Sequence, residues 1–504
     1  MKNRVKRFIS CVIFLGFVFV IFLKITYVFS PTGREREAIL GIREEAQLDM
    51  VYIGASAAYT YWQPLRAWSD YGFTSYNYAT GGLPAESLKY YVSEVLKTHN
   101  PELFVIDART FLYWDNVASA KVRYGSDSMN YSPNRFALLN SYFNSRNIVE
   151  GDDKLSYYLQ IIKYHSNYQE ILSNENNWKL INNKQESKFK GWTFMEYYCP
   201  LDMPEDIQTE QRGALKEGSQ RILDDLLEFC KEKNLKVLFV VSPYDITEED
   251  MAKCNTIKDT VEKQGFDFLN TNYFYDVMNL DFKTDFNDYN HVNCFGAEKY
   301  TKYFGDFLSK KYNLTDHRND SSYATWNEVY EEFKVDEIIT KENVKKMINK
   351  YERGEKIATM LVKIGNPLEW IDLANNDCFT VIVFTVGQWG NDDLKYRAVL
   401  DQLKIDPDKG QYVARAYIGG FNYINVYSDD EIEENWLIGT DRLRKGQSSI
   451  TVKSGETGMI RIDNKMQEFV QDGVYIAIYN NYTNEIEDMV NLRNQNHQIE
   501  MVHY

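Results

Sequence analysis

Between residues 48 and 313 the chain repeats one pattern, a short run that reads as a strand and stops at small or polar residues, followed by a stretch with helical spacing. Leu48 to Ile53 stops at Gly54-Ala55-Ser56, a second run near Ser75 to Tyr78 stops at Thr80-Gly81-Gly82, and a third, Pro101 to Asp107, reads PELFVID. A succession of strand, turn, helix and strand is the signature of a parallel sheet covered by helices. Pro84 opens a predicted helix to about Thr98, because proline is tolerated in a first turn, and Leu88, Tyr91, Val92 and Val95 mark its buried face. The pattern resumes with a helix from about Gln208 to Lys233, a strand Val237 to Ser242, a helix from about Glu248 to Gln264 and a strand Phe266 to Leu269. A last helix is expected from Phe295 to about Lys310. The fold class expected for residues 48–313 is therefore α/β with a central parallel sheet.

Residues 111–205 interrupt the pattern. They are rich in Tyr, Asn, Ser and Trp, and read as an insertion over the sheet's active edge with helices around Leu155 to Leu172. Residues 314–354 form a polar helical connector, and residues 355–504 a smaller β-rich, α+β domain. Its predicted strands are Thr359 to Ile364, Phe379 to Val386, Val413 to Tyr427, Ser448 to Ile462 and Val474 to Val490, with a helix from about Leu394 to Leu403. Tyr475 to Ile478 and Ile486 to Val490 flank a turn-rich segment and read as a hairpin. Such a division agrees with a length of 504 residues, more than one core usually organises.

At the other end, Lys2, Arg4, Lys6 and Arg7 precede an apolar stretch over residues 8–29, close to the roughly 20 residues that cross a bilayer. Lys24 interrupts it near its end, where a lysine can snorkel to the interface. Basic residues before the span and Glu-rich sequence after it place residues 1–7 in the cytoplasm and the body outside. No small-x-small site follows, Ser30-Pro31 being a poor substitute, so an uncleaved anchor in the cell membrane is expected over a cleaved leader. Residues 30–47 read as a charged juxtamembrane linker or short helix.

The net charge of −16 and the lack of a basic run beyond the first residues argue against nucleic acid as a partner. The 38 tyrosines suit sugar-facing surfaces, since the ring offers an apolar face and a polar tip, although a strand bias accounts for them equally well. Six scattered cysteines, Cys11, Cys199, Cys230, Cys254, Cys294 and Cys378, show no metal spacing and read as buried thiols with at most one bridge. With no phosphate-binding glycine loop, dinucleotide fingerprint or metal cluster, no cofactor or metal is expected.

Serine catalysis needs a hydroxyl, a base and an acid that orients the base, and parallel strand ends bring distant residues together. Ser56 follows the first strand at a small-residue turn, though Gly-Ala-Ser is also an ordinary tight turn. Of six histidines only His291 follows an aspartate, Asp288, by three residues in a turn before an amphipathic helix. One loop could then supply base and orienting carboxylate; alone, the pair reads better as a capping Asp beside a surface His.

Taken together, Val51-Tyr52-Ile53-Gly54-Ala55-Ser56, the turn Gly81-Gly82, and Asp288-Tyr289-Asn290-His291 through Gly296-Ala297-Glu298-Lys299 resemble the first, second and last blocks of the SGNH hydrolases. VSPYD at Val241 to Asp245 and the DFNDYNH segment resemble a branch that includes the D-alanine-transfer protein of teichoic acid assembly and the acetyltransferase-like proteins of alginate. The resemblance implies a flavodoxin-like three-layer domain, with Ser56 as nucleophile, His291 as general base and Asp288 as its orienter. It also implies an oxyanion hole from the amides of Ser56 and Gly81 or Gly82. Where the family carries Gly-x-Asn-Asp, this chain has Asp107-Ala108-Arg109, and the first block lacks the Asp before Ser. Both departures recur in the transfer branch, so the resemblance implies transfer more than plain hydrolysis, and they also leave room for an inactive enzyme. Arg109, Trp62 and Trp114 are candidates to line the substrate groove, as is Trp192, with burial the competing role for each tryptophan.

Phe379 to Leu403 and Tyr412 to Phe421 (YVARAYIGGF) resemble the interleukin-like inducer domain found beside glycan-modifying enzymes, which implies a carbohydrate-associated module; a packing domain is the rival reading. The expected function is serine-dependent transfer of an acetyl or D-alanyl group to a cell-envelope polysaccharide, beside a polytopic membrane acyltransferase. A carbohydrate esterase using the same residues, and a non-catalytic glycan-binding scaffold, are the alternatives.

Overall fold

A computed structural model describes residues 2–168, 171, 180–205, 207–389, 394–418, 422–495 and 498–504. The chain divides into two compact units: Met1–Glu196, Asp202–Asp285 and Asn290–Lys341 form one, and Tyr197–Leu201, Phe286–Tyr289 and Glu342–Tyr504 the other.

The first unit is built on five parallel strands, β1 (Met50–Gly54), β2 (Ser75–Ala79), β3 (Leu103–Asp107), β4 (Val237–Val241) and β5 (Asp267–Asn270). They lie in the order β2-β1-β3-β4-β5. Every residue of β1 to β4 is buried. Because successive side chains point to opposite faces, both faces of the sheet are covered, even at β2, whose Ser75 and Asn77 are buried polar residues. The order 2-1-3-4-5 reverses direction between β1 and β3, and in doubly wound sheets ligands bind in the crevice at the carboxyl ends of the strands flanking that point. Among the covering helices, Leu88–Val95 buries Leu88, Tyr91, Val92 and Val95, and Cys294–Lys311 follows the His291 loop.

Helix α1 (Lys2–Phe29) contains a 26-residue segment, Arg4–Phe29, long and apolar enough to cross a membrane. Of the two readings of residues 30–47, linker or short helix, the structure has the short helix, packed into the unit. Helix α2 (Arg34–Gly41) and the turn Ile42–Glu44 bury Arg36, Ala38, Ile39, Leu40 and Ile42. Their apolar positions are concealed in the sequence by the charged residues interleaved with them. The insertion holds the helices Ser119–Ser126, Pro133–Ser145, Lys154–Tyr158 and Ile161–Tyr164. The expected helix to Leu172 runs into residues 169–170 and 172–179, outside the described residues.

In the second unit two antiparallel sheets share a core. Six strands run in the order Asn422–Ser428, Tyr412–Ile418, Phe379–Val386, Gly473–Asn480, Glu485–Gln495 and Gln498–His503. Four more are Ile432–Ile438, Ser448–Ser454, Gly458–Ile462 and Lys465–Phe469. Strand Phe379–Val386 turns Ile382, Phe384 and Val386 toward Ile450, Val452 and Ile460 of the smaller sheet. Its Val381 and Val383 join Trp370, Ile371, Val399 and Leu400 of the helices Pro367–Ala374 and Leu394–Gln402. The expected hairpin forms between Gly473–Asn480 and Glu485–Gln495.

The expected strand Thr359 to Ile364 is instead the end of a 38-residue helix, Ala324–Leu361. Ile357, Ala358 and Leu361 are buried while Met360 and Val362 are exposed, a helical spacing that a short apolar run disguises. That helix also crosses the expected connector boundary at residue 354, and the division between the units falls within it. Residues 390–393 and 419–421 of the C-terminal motifs lie outside the described residues. All six cysteines carry free thiols, five of them buried.

Candidate functional site

β1 ends at Gly54, where a side chain has no room: a Cβ there would lie 2.3 Å from Cβ of Asp107 at the end of the neighbouring β3. The chain then turns through Ala55 into helix α3 (Ser56–Tyr61), so Ser56 occupies its first position. Amides of a first turn have no intrahelical acceptor. The hydroxyl of Ser56 lies 2.7 Å from Nε2 of His291. For Ser56 to donate in that contact the imidazole must carry its own proton on Nδ1.

His291 opens the short strand His291–Val292. Around it, Asn293 N–H donates to the Asp285 carbonyl at 2.8 Å, and Asn293 Nδ2 to the Thr284 carbonyl at 2.8 Å. Asn293 Oδ1 then caps helix Cys294–Lys311 through Phe295 N–H at 3.0 Å. Asp285 is itself buried and paired with Lys299 at 2.7 Å; burial raises its pKa against the lowering effect of its hydrogen bonds and that cation. Asp288 closes the strand Phe286–Asp288, three residues before His291, and accepts a hydrogen bond from Asn287 Nδ2 at 2.7 Å.

Asp107 and Arg109 occupy the ground between the serine turn and the histidine loop. Asp107 is fully buried; its Oδ2 accepts Ala55 N–H at 3.3 Å and its Oδ1 accepts Arg109 N–H at 3.1 Å. Burial raises its pKa, opposed by the Arg109 charge and those two amides. The Arg109 guanidinium donates to Asn290 O at 3.0 Å, Asn290 Oδ1 at 3.2 Å and Ser242 Oγ at 3.3 Å, and stacks 4.0 Å from the ring centroid of Tyr244. Tyr61 adds a hydroxyl directed at the Pro243 and Asn290 carbonyls, at 2.5 and 2.9 Å. One residue anchors the turn before the serine, and the other the residue before the histidine.

A cleft of about 330 Å³ opens over this arrangement, lined by Ser56, Gly82, Asp107, Arg109, Asn290 and His291 from the sheet's carboxyl edge. Tyr113, Lys121 and Arg146 line it from the insertion. Gly82 has φ +59, a conformation that suits glycine, and the stem of Lys121 lies across it. Gly81 is not among the lining residues; its open side faces Glu35, Tyr59 and Tyr124. Arg146 is held by Glu86 at 2.8 and 3.0 Å and lies 3.7 Å over the Trp114 ring.

None of the three tryptophans expected in the groove, Trp62, Trp114 and Trp192, is among its lining residues. Trp62 is fully buried, stacked on Phe73 with its indole N–H on Ser75 Oγ at 2.9 Å. Trp114 sits behind Arg146 against the backbone of Gly218. Trp192 is buried edge-on to Phe194. Asp107, Asn290, Tyr113, Lys121 and Arg146 were not singled out as site residues in the sequence. Only Asp107 carried a signal, as the residue standing in place of a Gly-x-Asn-Asp block. Among the described residues no group of three or more His, Cys, Asp or Glu side chains could hold a metal ion.

No protein-family model and no curated protein sequence matches this chain.

Proposed function

We propose that the chain is a membrane-tethered, extracytoplasmic serine enzyme of the SGNH type that transfers an acetyl or D-alanyl group to a hydroxyl of a cell-envelope polysaccharide. The observation that carries this reading is the 2.7 Å contact between Ser56 Oγ and His291 Nε2 at the reversal point of a parallel sheet.

In this reading His291 takes the Ser56 proton as Oγ bonds to the donor's acyl carbon, then returns it to the leaving group, which departs as an acyl-serine ester remains. In the second half His291 takes the proton of an acceptor hydroxyl, that oxygen displaces Ser56 from the acyl carbon, and Ser56 regains the proton. The oxyanion of each tetrahedral intermediate is met by the amides of Ser56 and Gly82. The part of orienting the imidazole falls to Asp288 by the resemblance alone. The side chain at position 107 accepts two hydrogen bonds and supplies no donor of the kind an Asn block offers; the choice of transfer over hydrolysis rests on the resemblance to the transfer branch.

The test is made on full-length protein in nanodiscs. A fluorophosphonate should label Ser56 and no other residue, and an acetyl or D-alanyl thioester should leave the acyl mass on the protein until an envelope polysaccharide is added. No labelling of Ser56 would refute serine catalysis. Labelling with equally fast acyl release in plain buffer would identify an esterase.

A further inference from the structure

The junction between α1 and the body of the first unit has no slack. Residues Arg4 to Ile21 of α1 are exposed, among them Phe8, Ile13, Phe14, Leu15 and Phe17, each at least 64% exposed. Phe22, Leu23 and Lys24 are partly covered by the body, and Thr26, Val28 and Ser30 are buried in it. The last turn of α1 is also bonded in place. Buried Arg36 donates to the carbonyls of Tyr27 at 2.8 Å and Ser30 at 3.1 Å and to Asn183 Oδ1 at 2.9 Å. Asn167 Nδ2 reaches the Phe29 carbonyl at 3.4 Å, and Lys24 Nζ reaches Asn182 Oδ1 at 2.6 Å. Charged and carbonyl groups that would frame a flexible stalk are instead used to lock helix to body.

Length then decides where the body stands. At about 1.5 Å per residue, the apolar stretch from Phe8 to Ile25 spans about 27 Å, close to the roughly 30 Å of a hydrocarbon core. Nothing is left over to hold the body away from the lipid. The segments packed beside this stretch must meet the interface, and they carry outward-facing apolar side chains: Ile181 in the turn Leu180–Asn182, next to Asn182, and Ile162 in Ile161–Tyr164, 37% and 40% exposed. Tyr168, 51% exposed, follows in the turn that bonds Phe29, and a tyrosine there has the apolar body and polar tip that headgroup layers favour.

We propose that the face around the foot of α1, bearing Ile162, Tyr168 and Ile181, is seated in the headgroup layer of the bilayer that α1 crosses. The proposal rests on the reading of α1 as a membrane span and is independent of the chemistry at Ser56. The body is then a fixture on the membrane surface, with its height and tilt set by Arg36 and Lys24.

An environment-sensitive nitrobenzoxadiazole label tests this in the full chain carrying Cys11→Ser, whose remaining cysteines are buried. Single cysteines are placed by Ile162→Cys, Ile181→Cys and, as a control in the same unit, Val277→Cys, which is 70% exposed. In vesicles of phosphatidylcholine and phosphatidylglycerol, labels at 162 and 181 should emit to the blue of the label at 277. Lipids bearing a nitroxide near the headgroup should quench them at least twofold more. Emission and quenching equal to those at 277 in a chain that resists alkaline carbonate would overturn the seated face and leave the span intact. Release of the chain by carbonate would overturn both.

Discussion

Arg109 closes on Asn290 at two points, Nη1 on the backbone oxygen at 3.0 Å and Nη2 on the side-chain oxygen at 3.2 Å. Asn290 is the residue before His291, so the turn that follows β3 sets the height of the His291 imidazole, as Asp107 at the end of β3 braces the turn before Ser56. A lysine cannot reproduce the fork. Arg109→Lys should retain the fold by circular dichroism yet slow fluorophosphonate labelling of Ser56 by about 100-fold, the order of loss that a misplacement of about 1 Å produces. Labelling within about threefold of the parent would show that the loop holds His291 without Arg109.

Gly54→Ala tests the closeness of β1 and β3. The new methyl would lie 2.3 Å from Asp107 Cβ, and both strands are buried on both faces, so neither can retreat. The expected loss is about 3 kcal/mol or more, beyond the usual cost of an extra core methylene, read from the urea midpoint.

The pH dependence of stability should report Asp107. Its pKa is raised in the folded state, first by burial, so the folded chain holds the proton to higher pH than the unfolded chain does. Ionisation therefore favours unfolding. The stability of the parent relative to Asp107→Asn should be greatest below about pH 4 and decline as pH rises through the elevated pKa, then level off. Urea midpoints of the two proteins measured across that range check the slope; a parent that gains on the variant as pH rises would contradict it.

Arg66 joins Glu337 at 2.5 Å and Glu298 at 3.2 Å, and Lys341 bridges the same two carboxylates at 3.4 and 2.7 Å. Glu337 and Arg66 are largely buried, so Glu337→Ala leaves a cation without its main partner. The expected cost is about 2 to 4 kcal/mol by chemical denaturation, and 1 M salt should not restore it.

Much of the first unit was legible because its strands are buried on both faces, and a run such as VLFVV at 237–241 has no reading on a wet surface. Helix ends were less visible: Glu217–Glu232 begins well after Gln208, in a stretch whose polar residues fit loop or helix alike. Short apolar runs defeated the reading at Thr359 to Ile364, where only the burial of Leu361 beside exposed Met360 and Val362 reveals a helix. Pro367–Ala374 was missed although Asn366 caps it and Pro367 opens it, both recognisable signals.

At the site, Ser56 and His291 are linked in the sequence by the resemblance of their two motifs taken together, each being weak alone. Lys121 and Arg146 carry no such mark, since they reach the cleft from an insertion with weak periodicity, and nothing local shows which of its cations turn inward. Trp62 shows the converse difficulty: a large aromatic six residues after Ser56 can be groove or core, and its stacking on Phe73 places it in the core.

The contact between Ser56 and His291 joins residues 235 positions apart. A chain synthesised from its N-terminus presents Ser56 first, in a turn that Asp107 of β3 has yet to brace. The hydroxyl meets the imidazole only after most of the first unit has been made. The contact is therefore a late mark of assembly, absent from any chain that stops short of residue 291.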